Sequence, residues 1–236
     1  MYKQASLVHT VLLVILALSP VAFFCGLVIW ADKHERESFL PLLICFALGA
    51  LAIAPSIWLE NGVHDARWFD LTNNWQLLLY AFIGIALIEE FFKAICFFAY
   101  PYWQKFFNEP FDGVVYAVMI SMGFAGVENV LYVLESGVEA GIARALTAVP
   151  AHATFGVLAG YYFGRSRFES NRKWPLIAIG GIAVSIFHTL YDFLILQDIS
   201  QYLMLGASIS IYALSILCFF MVRNSLENSP FKQEKS

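Results

Sequence analysis

The sequence predicts an all-α protein, a polytopic membrane bundle of about seven transmembrane helices. Of its 236 residues, 60% are hydrophobic and 14% are charged, whereas soluble domains average about 45–50% apolar and about 25% charged residues. Runs of about 20 apolar residues recur along most of the chain, and this is the length that crosses a bilayer as a helix. The runs lack the alternating pattern of a membrane β-barrel.

The first two predicted spans are apolar runs with proline in or beside them. The first, Leu7–Trp30, is too long for the apolar part of a signal peptide and lacks a small-residue cleavage site, so we expect an uncleaved span. The second is Phe39–Leu59. Pro20, Pro41 and Pro55 are expected to start or kink these helices.

The third predicted span, Trp75–Tyr100, is long enough to tilt strongly. It follows the longest connection, Glu60–Asn74, whose polar and aromatic composition suits the membrane interface. The later spans include glycines at four-residue spacing, which favour close helix packing. These four spans are Gly113–Leu134, Ile142–Phe163, Trp174–Leu196 and Tyr202–Val222.

The distribution of lysine and arginine predicts the orientation. With seven spans, ten basic residues fall in one set of connections and three fall in the other. By the positive-inside rule the richer set is cytoplasmic, which places the C-terminus in the cytoplasm and the N-terminus outside. The poorer set is Lys3, Arg67 and Arg144. The richer set is Lys33, Arg36, Lys105, Arg165, Arg167, Arg172, Lys173, Arg223, Lys232 and Lys235.

Charge and cysteine usage exclude some classes of function. The formal net charge is −4, and no basic tract indicates binding to nucleic acid. The four cysteines fall in separate apolar runs without CxxC or Cys/His spacing, so we expect small packing residues rather than disulfides or zinc ligands. They are Cys25, Cys45, Cys96 and Cys218.

Ionisable residues inside the predicted spans are the strongest functional signal. A charged group at the bilayer centre costs about 2.5–3.5 kcal/mol on insertion scales, so such residues usually face the bundle interior and act there. At the rise of a helix, four different spans carry these groups to one layer between the midplane and the outer third of the membrane. The ionisable residues concerned are Glu89, Glu90, Lys93, Glu128, His152, His188 and Asp192, and the neutral amide of Asn129 lies next to Glu128.

The paired glutamates allow more than one interpretation. Glu89 and Glu90 point about 100° apart on a helix, and Lys93 follows Glu89 at the spacing that favours an ion pair. Lys93 either neutralises Glu89 and leaves Glu90 facing a cavity, or it orients Glu90. A purely structural ion pair that locks two helices together is the third interpretation.

The other polar residues also have structural alternatives. Glu128 lies on a face of small residues and is expected close to another span, while Asn129 could orient a substrate carbonyl or bond a neighbouring helix. His152 could form an interhelical hydrogen bond or belong to a site. His188 and Asp192 share a helix face one turn apart, so the carboxylate can orient the imidazole.

This set of residues suits hydrolysis of an amide within or near the membrane. A glutamate can act as general base on water, and histidines can stabilise the oxyanion that follows attack. The residues that could instead hold Zn²⁺ with an open position for water are Glu90, Glu128, His152 and His188. Because no HExxH motif occurs, the choice between zinc and no metal stays open.

At these residues the chain resembles the PrsW family of bacterial membrane proteases. That family sits in a wider group of membrane peptidases with the CAAX-processing prenyl endopeptidases and the bacteriocin-immunity-type Abi proteins. The matching stretches follow the family's order over about residues 75–196. They are EEFFK (89–93), FDGVVY (111–116), GFAGVENVLY (123–132), HATFGVLAGYYFG (152–164) and HTLYD (188–192).

The resemblance implies a multi-pass endopeptidase of the bacterial inner membrane that makes the first, extracytoplasmic (site-1) cut in a single-span anti-sigma factor during envelope stress. Its partners are then that substrate and the lipid bilayer. Glu89 and Glu90 match the family's paired glutamates, Glu128 matches its FxxxE acid, and the intramembrane histidines match His152 and His188. The wider group often has histidine where this chain has Glu128.

Three parts of the chain are expected on this basis. Residues 1–74 form N-terminal helices and an interfacial loop, residues 75–196 form the catalytic membrane core, and residues 197–236 form a last helix and a cytoplasmic tail. The same intramembrane polar groups would also suit an ion-coupled transporter, although no internal repeat is apparent. A non-catalytic membrane scaffold or immunity protein is the other alternative. The sequence does not indicate an oligomeric state.

Overall fold

A computed structural model describes residues 7–232, and helix is the only regular secondary structure in that range. The predictions that involve Lys3 and Lys235 lie outside the described residues. The four cysteines are free, as expected of packing residues. The helices are α1 (Leu7–Ala31), α2 (Phe39–Asp65), α3 (Asn74–Tyr80), α4 (Leu87–Ala99), α5 (Pro110–Leu146), α6 (Ala148–Phe168), α7 (Lys173–Leu196) and α8 (Gln201–Glu227).

Five segments within residues 7–232 are long and apolar enough to cross a membrane. One of them, Pro110–Phe168, is 59 residues long and contains both α5 and α6. The predicted third span is not in this set; the chain is helical from Asn74 to Ala99, with a π-helical stretch at Ala81–Ala86 between α3 and α4. The membrane-type all-helical fold is therefore confirmed, whereas the count of about seven spans is not.

The predicted helix starts agree with the structure better than the predicted ends. α1, α2, α7 and α8 begin within one residue of the expected positions. However, α2 continues past Leu59 to Asp65, so the connection predicted to begin at Glu60 is partly helical. α5 is also longer than predicted, at 37 residues, and α6 begins at Ala148 rather than Ile142. Polar residues at these ends continue the helices instead of stopping them.

Helix α5 forms the centre of the bundle, with α6, α2 and α1 packed around it. Its contact with α6 is close because glycines face each other. A Cβ atom added to Gly160 of α6 would lie 2.7 Å from the Cα of Val114 and 2.9 Å from the Cβ of Ala117. Small residues thus let the two backbones approach, as expected for helices in lipid.

The C-terminal part of α5 is redirected at Gly137. This glycine has φ 81° and ψ −163°, a non-helical conformation inside the helix, and such backbone angles are essentially restricted to glycine. The residues after the kink therefore do not continue along the axis of the first part. This change of direction determines where Arg144 lies.

Candidate active site

Four helices place the eight predicted polar residues around one buried region. α4 carries Glu89, Glu90 and Lys93, α5 carries Glu128 and Asn129, α6 carries His152, and α7 carries His188 and Asp192. The two histidines are 4% and 3% exposed, and their ring centroids are 5.5 Å apart. Residues that are about 100 positions apart in sequence thus contribute to a single site.

Lys93 lies at the centre of the site. Its Nζ atom is 3.0 Å from Oε2 of Glu89 and 2.8 Å from Oε1 of Glu90, and it is 3.2 Å from Nδ1 of His152. All four side chains are buried. Lys93 therefore neutralises Glu89 and orients Glu90 at the same time, so the two alternatives raised from the sequence describe one arrangement.

Three carboxyl groups surround the imidazole of His188. Its Nδ1 atom is 2.9 Å from Oε1 of Glu90, and its Nε2 atom is 3.4 Å from Oδ2 of Asp192 and 3.9 Å from Oε2 of Glu89. Phe155 stacks on the ring, with centroids 4.8 Å apart and an interplanar angle of 28°. Contacts on the ring edge and on the ring face thus fix its orientation.

Glu128 connects His152 to an arginine that the sequence interpretation did not include. Its Oε2 atom is 2.9 Å from Nε2 of His152 and 2.8 Å from Nη2 of Arg144. The guanidinium of Arg144 also lies 4.0 Å from the centroid of the Tyr132 ring. The sequence predicts Arg144 in an outer connection; in the structure it lies in the last turn of α5, just before α6 begins at Ala148, with its side chain on Glu128. Gly137, between two predicted spans, is the sequence feature that could have suggested it.

Asn129 is engaged in contacts between helices. Its Nδ2 donates to the carbonyl oxygen of Ala17 in α1 at 2.7 Å, and its Oδ1 accepts from Nε of Arg144 at 2.9 Å. Both ends of the amide are therefore used within the bundle. This favours the interpretation in which Asn129 bonds a neighbouring helix over the one in which it orients a substrate.

Glu60 is a second residue that the sequence interpretation missed. It was placed in the interfacial loop, but it lies in the last two turns of α2. Its Oε1 atom is buried without a hydrogen-bond partner. No local pattern marks Glu60, because the extension of α2 beyond the apolar run is not visible in the sequence.

The contacts form one continuous chain of polar groups through the bundle, from Arg144 through Glu128, His152 and Lys93 to Glu90 and His188. This network contains four carboxyl groups and two lysine or arginine side chains, Lys93 and Arg144. The members of the four are Glu89, Glu90, Glu128 and Asp192. Buried charge must be compensated, so protons on this network or a bound cation balance the remaining negative charge.

A cavity of about 200 Å³ reaches the site from between α4, α5, α6 and α7. Glu90 and Lys93 are its charged lining residues. The rest of the wall is small or apolar and includes Phe97, Phe163 and Val184. An apolar segment could therefore lie in the cavity with its polar end against Glu90 and Lys93.

The donor groups for a metal ion are present, although they differ from the predicted set. In the described chain one donor atom from each of Glu89, Glu90 and His152 lies within 4.8 Å of the other two. Glutamate oxygen and histidine nitrogen are ligands of catalytic Zn²⁺, so the chemistry fits. Lys93 Nζ contacts all three residues and supplies the positive charge in this arrangement. Glu128 and His188, predicted as ligands, lie outside this group.

Comparison with known proteins identifies the family. A family model described as PrsW family intramembrane metalloprotease matches residues 37–222. The chain is 29% identical to Protease PrsW of Oceanobacillus iheyensis over 212 residues, which is 90% of this chain and 95% of that protein. It is 35% identical to Protease PrsW of Geobacillus kaustophilus over 165 residues, 70% of this chain and 71% of the relative.

Protease PrsW of Bacillus subtilis is 30% identical over 172 residues, 70% of this chain and 73% of that protein. No solved structure matches the chain. The family match covers α2 to α8, including every helix that contributes to the buried Glu/His/Lys network. Apolar helices suited to a membrane surround that network. The chain therefore belongs to the PrsW family of intramembrane proteases.

Proposed function

We propose that this protein cleaves a peptide bond in a single-span membrane protein with water activated by Glu90. The observation that carries the proposal is that Glu90 and Lys93 end the apolar cavity and also belong to the buried network. Apolar side chains of a substrate segment can occupy the apolar part while a backbone carbonyl meets the polar end. The family match favours this over the transporter and scaffold alternatives.

Each residue of the site has a separate role in the proposed hydrolysis. Glu90 accepts a proton from water, and the hydroxide attacks the carbonyl carbon of the substrate. Lys93, which lines the cavity, stabilises the oxyanion. His152 contacts Lys93 and His188 contacts Glu90, and the histidines thereby orient these two groups. The proton held by Glu90 then passes to the departing amine as the C–N bond breaks. Glu128 and Asp192 position the two histidines, in keeping with their contacts at 2.9 Å and 3.4 Å.

A metal ion is compatible with the same group. Glu89, Glu90 and His152 would hold it, and it would supply polarisation of the carbonyl and a more acidic bound water. Lys93 would then have to leave its position between these residues. Glu90 is the proposed base in the absence of a metal and a ligand in its presence, while the proposed positioning residues, Glu128 and Asp192, are the same in both cases.

We propose seven membrane passes, with α3 to α4 as one pass and α5 and α6 as two. This places the C-terminus in the cytoplasm and the site in the outer half of the inner membrane. His152 follows the start of α6 by four residues, about 6 Å of helix. His188 precedes the end of α7 by eight residues, about 12 Å. In this frame, residues 75–196 form the catalytic core.

This depth is consistent with an extracytoplasmic first cut in a single-span substrate of the anti-sigma factor type. The apolar cavity extends from the site toward the opposite end of α4 to α7, since it includes Phe97, Phe163 and Ile177. The remaining part of the substrate's span can therefore lie below the bond that is cut. The charged site and the apolar cavity fit an outer-leaflet cleavage site followed by a hydrophobic stretch.

Reconstitution tests the proposal. Purified protein in proteoliposomes is incubated with a synthetic single-span peptide, and mass spectrometry identifies the products. We expect Glu90→Gln and His188→Ala to lose about 10²–10⁴-fold in cleavage rate, the range for general acid–base groups. The matched control is Glu135→Gln, an exposed glutamate on α5. Equal cleavage by all three variants and the wild type, with matching unfolding temperatures, would overturn it.

A further inference from the structure

A second acidic cluster lies at the other end of the bundle, where the connection between α1 and α2 meets the start of α5. One carboxylate oxygen from each of Glu35, Glu37 and Asp112 lies within 4.8 Å of the other two. Tyr116 donates its hydroxyl to Glu37, and Nδ2 of Asn108 donates to Oε1 of Glu35 at 2.9 Å. The cluster thus joins two segments that are far apart in sequence.

Several oxygen atoms in this cluster are buried without a donor. Asp112 is 0% exposed and Asp32 is 2% exposed. Oδ2 of Asp112 accepts from the backbone N–H groups of Asn108 and Glu109, at 2.6 and 2.9 Å. The atoms that lack a hydrogen-bond partner are Oδ1 of Asp32, Oε2 of Glu35, Oδ1 of Asn108 and Oδ1 of Asp112. All four are acceptors, so the missing partner must be positive or a donor.

The protein does not supply that partner among the residues that the structure describes. None of its salt bridges includes Asp32, Glu35, Glu37 or Asp112. Arg36 acts on Asp32 only electrostatically and is exposed. Arg167 likewise acts on Asp112 only electrostatically. Its Nη2 donates to the carbonyl oxygen of Gln104, and its buried Nη1 has no hydrogen-bond partner. Burying carboxylates this close together is costly unless they take up protons or bind a cation.

We propose that Glu35, Glu37 and Asp112 bind a hard divalent cation, with Ca²⁺ the best match. The donors are all oxygen, which hard cations prefer, and neither histidine nor cysteine is among them. Ca²⁺ accepts carboxylate and amide oxygens in irregular geometry at about 2.3–2.6 Å. Mg²⁺ demands near-octahedral geometry at about 2.0–2.1 Å and gives up its waters reluctantly, so three carboxylates on a loop and a helix suit it less well.

The cation would fix the connection between α1 and α2 to the first turn of α5. α5 also carries Glu128, 16 residues after Asp112, which is about 24 Å along the helix. Cation binding at this end therefore stabilises the helix on which the candidate active site depends, without contact with the catalytic groups. The inference is independent of the proposed chemistry.

Calcium binding and thermal unfolding of the full-length protein test the inference. Chelator-treated protein in detergent is dialysed against Ca²⁺ or Mg²⁺, and its unfolding temperature is recorded with each ion. We expect one Ca²⁺ per chain and an unfolding temperature that rises with Ca²⁺ concentration, because the ion binds the folded state. Glu35→Gln and Glu37→Gln should each weaken binding at least about 10-fold, whereas Glu135→Gln should bind as the wild type does.

The order of stabilities gives a second readout. In chelator, Glu37→Gln should unfold at or above the wild-type temperature, because it removes an uncompensated buried charge. In saturating Ca²⁺ the order should reverse. Absence of calcium binding by the wild type, or unchanged binding in both glutamine variants, would overturn the inference. Loss of binding in Glu90→Gln with retention in Glu37→Gln would also overturn it, since the ion would then belong to the candidate active site.

Discussion

Replacement of Gly137 by alanine isolates the contribution of the α5 kink to the candidate active site. A Cβ atom at Gly137 would meet nothing within 4 Å, but φ is 81° there, so the substitution acts through the backbone alone. Holding a residue other than glycine in such a conformation costs about 1–3 kcal/mol. For a chain of this length that corresponds to a fall of roughly 2–12 °C in unfolding temperature.

The functional consequence follows from the position of Arg144. Glu128 and Arg144 are 16 residues apart, a separation of about 24 Å along a straight helix, yet their side chains meet at 2.8 Å. If the strain is relieved by straightening α5, this ion pair is lost. Arg144 then no longer holds Glu128, the partner of His152, in place. A misplacement of a catalytic group by about 1 Å can reduce the cleavage rate about 10²-fold.

The assay compares Gly137→Ala with Gly26→Ala in thermal unfolding and in peptide cleavage by proteoliposomes. Gly26 is the matched control, because it also has nothing within 4 Å of a Cβ atom but has no positive φ. Because Gly26 lies within α1, its replacement by alanine should leave the unfolding temperature unchanged or raise it slightly. The explanation is refuted if Gly137→Ala and Gly26→Ala have the same unfolding temperature and the same cleavage rate.

Three further substitutions test individual contacts. Arg144→Met leaves Glu128 partly buried with a single partner, so we expect a loss of up to about 3–5 kcal/mol in unfolding free energy together with slower cleavage. An unfolding temperature like that of the wild type would contradict the ion pair. Lys93→Met should reduce cleavage by at least about 10²-fold. Full activity with a bound metal would show instead that a metal takes the place of the ammonium. Gly160→Ala should lower the unfolding free energy by about 1–3 kcal/mol, because the added Cβ atom overpacks against α5. An unchanged unfolding free energy would mean that α5 and α6 are further apart at Gly160 than in this structure.

The sequence could indicate the site residues because the cost of charge in lipid is large and local composition reveals it. Glu89 in an apolar run and His188 with Asp192 one turn later stand out without any knowledge of the fold. The helix starts at Leu7 and Phe39 could be predicted equally well, because an apolar run begins at each of these residues. What the pattern could give was the identity of the polar groups and their depth along each helix.

The partners of those groups depend on features that composition does not reveal. Arg144 reaches Glu128 only because Gly137 redirects α5, and Glu60 has a buried carboxylate oxygen in α2 because that helix continues beyond its apolar run. The π-helical turn at Ala81–Ala86 is likewise invisible in a uniformly apolar stretch. Tertiary packing determines these three features. The set of site residues predicted from the sequence was therefore too small, and it did not include Arg144.

Cleavage in ¹⁸O-labelled water tests most directly whether the buried network hydrolyses peptides. Purified wild-type protein in proteoliposomes, given a single-span peptide in labelled water, should yield two products with one ¹⁸O atom in the new carboxyl group. Glu90→Gln under the same conditions should yield neither product above background. An intact peptide with the wild type, or equal labelled product from Glu90→Gln, would contradict the assignment of hydrolysis to this site.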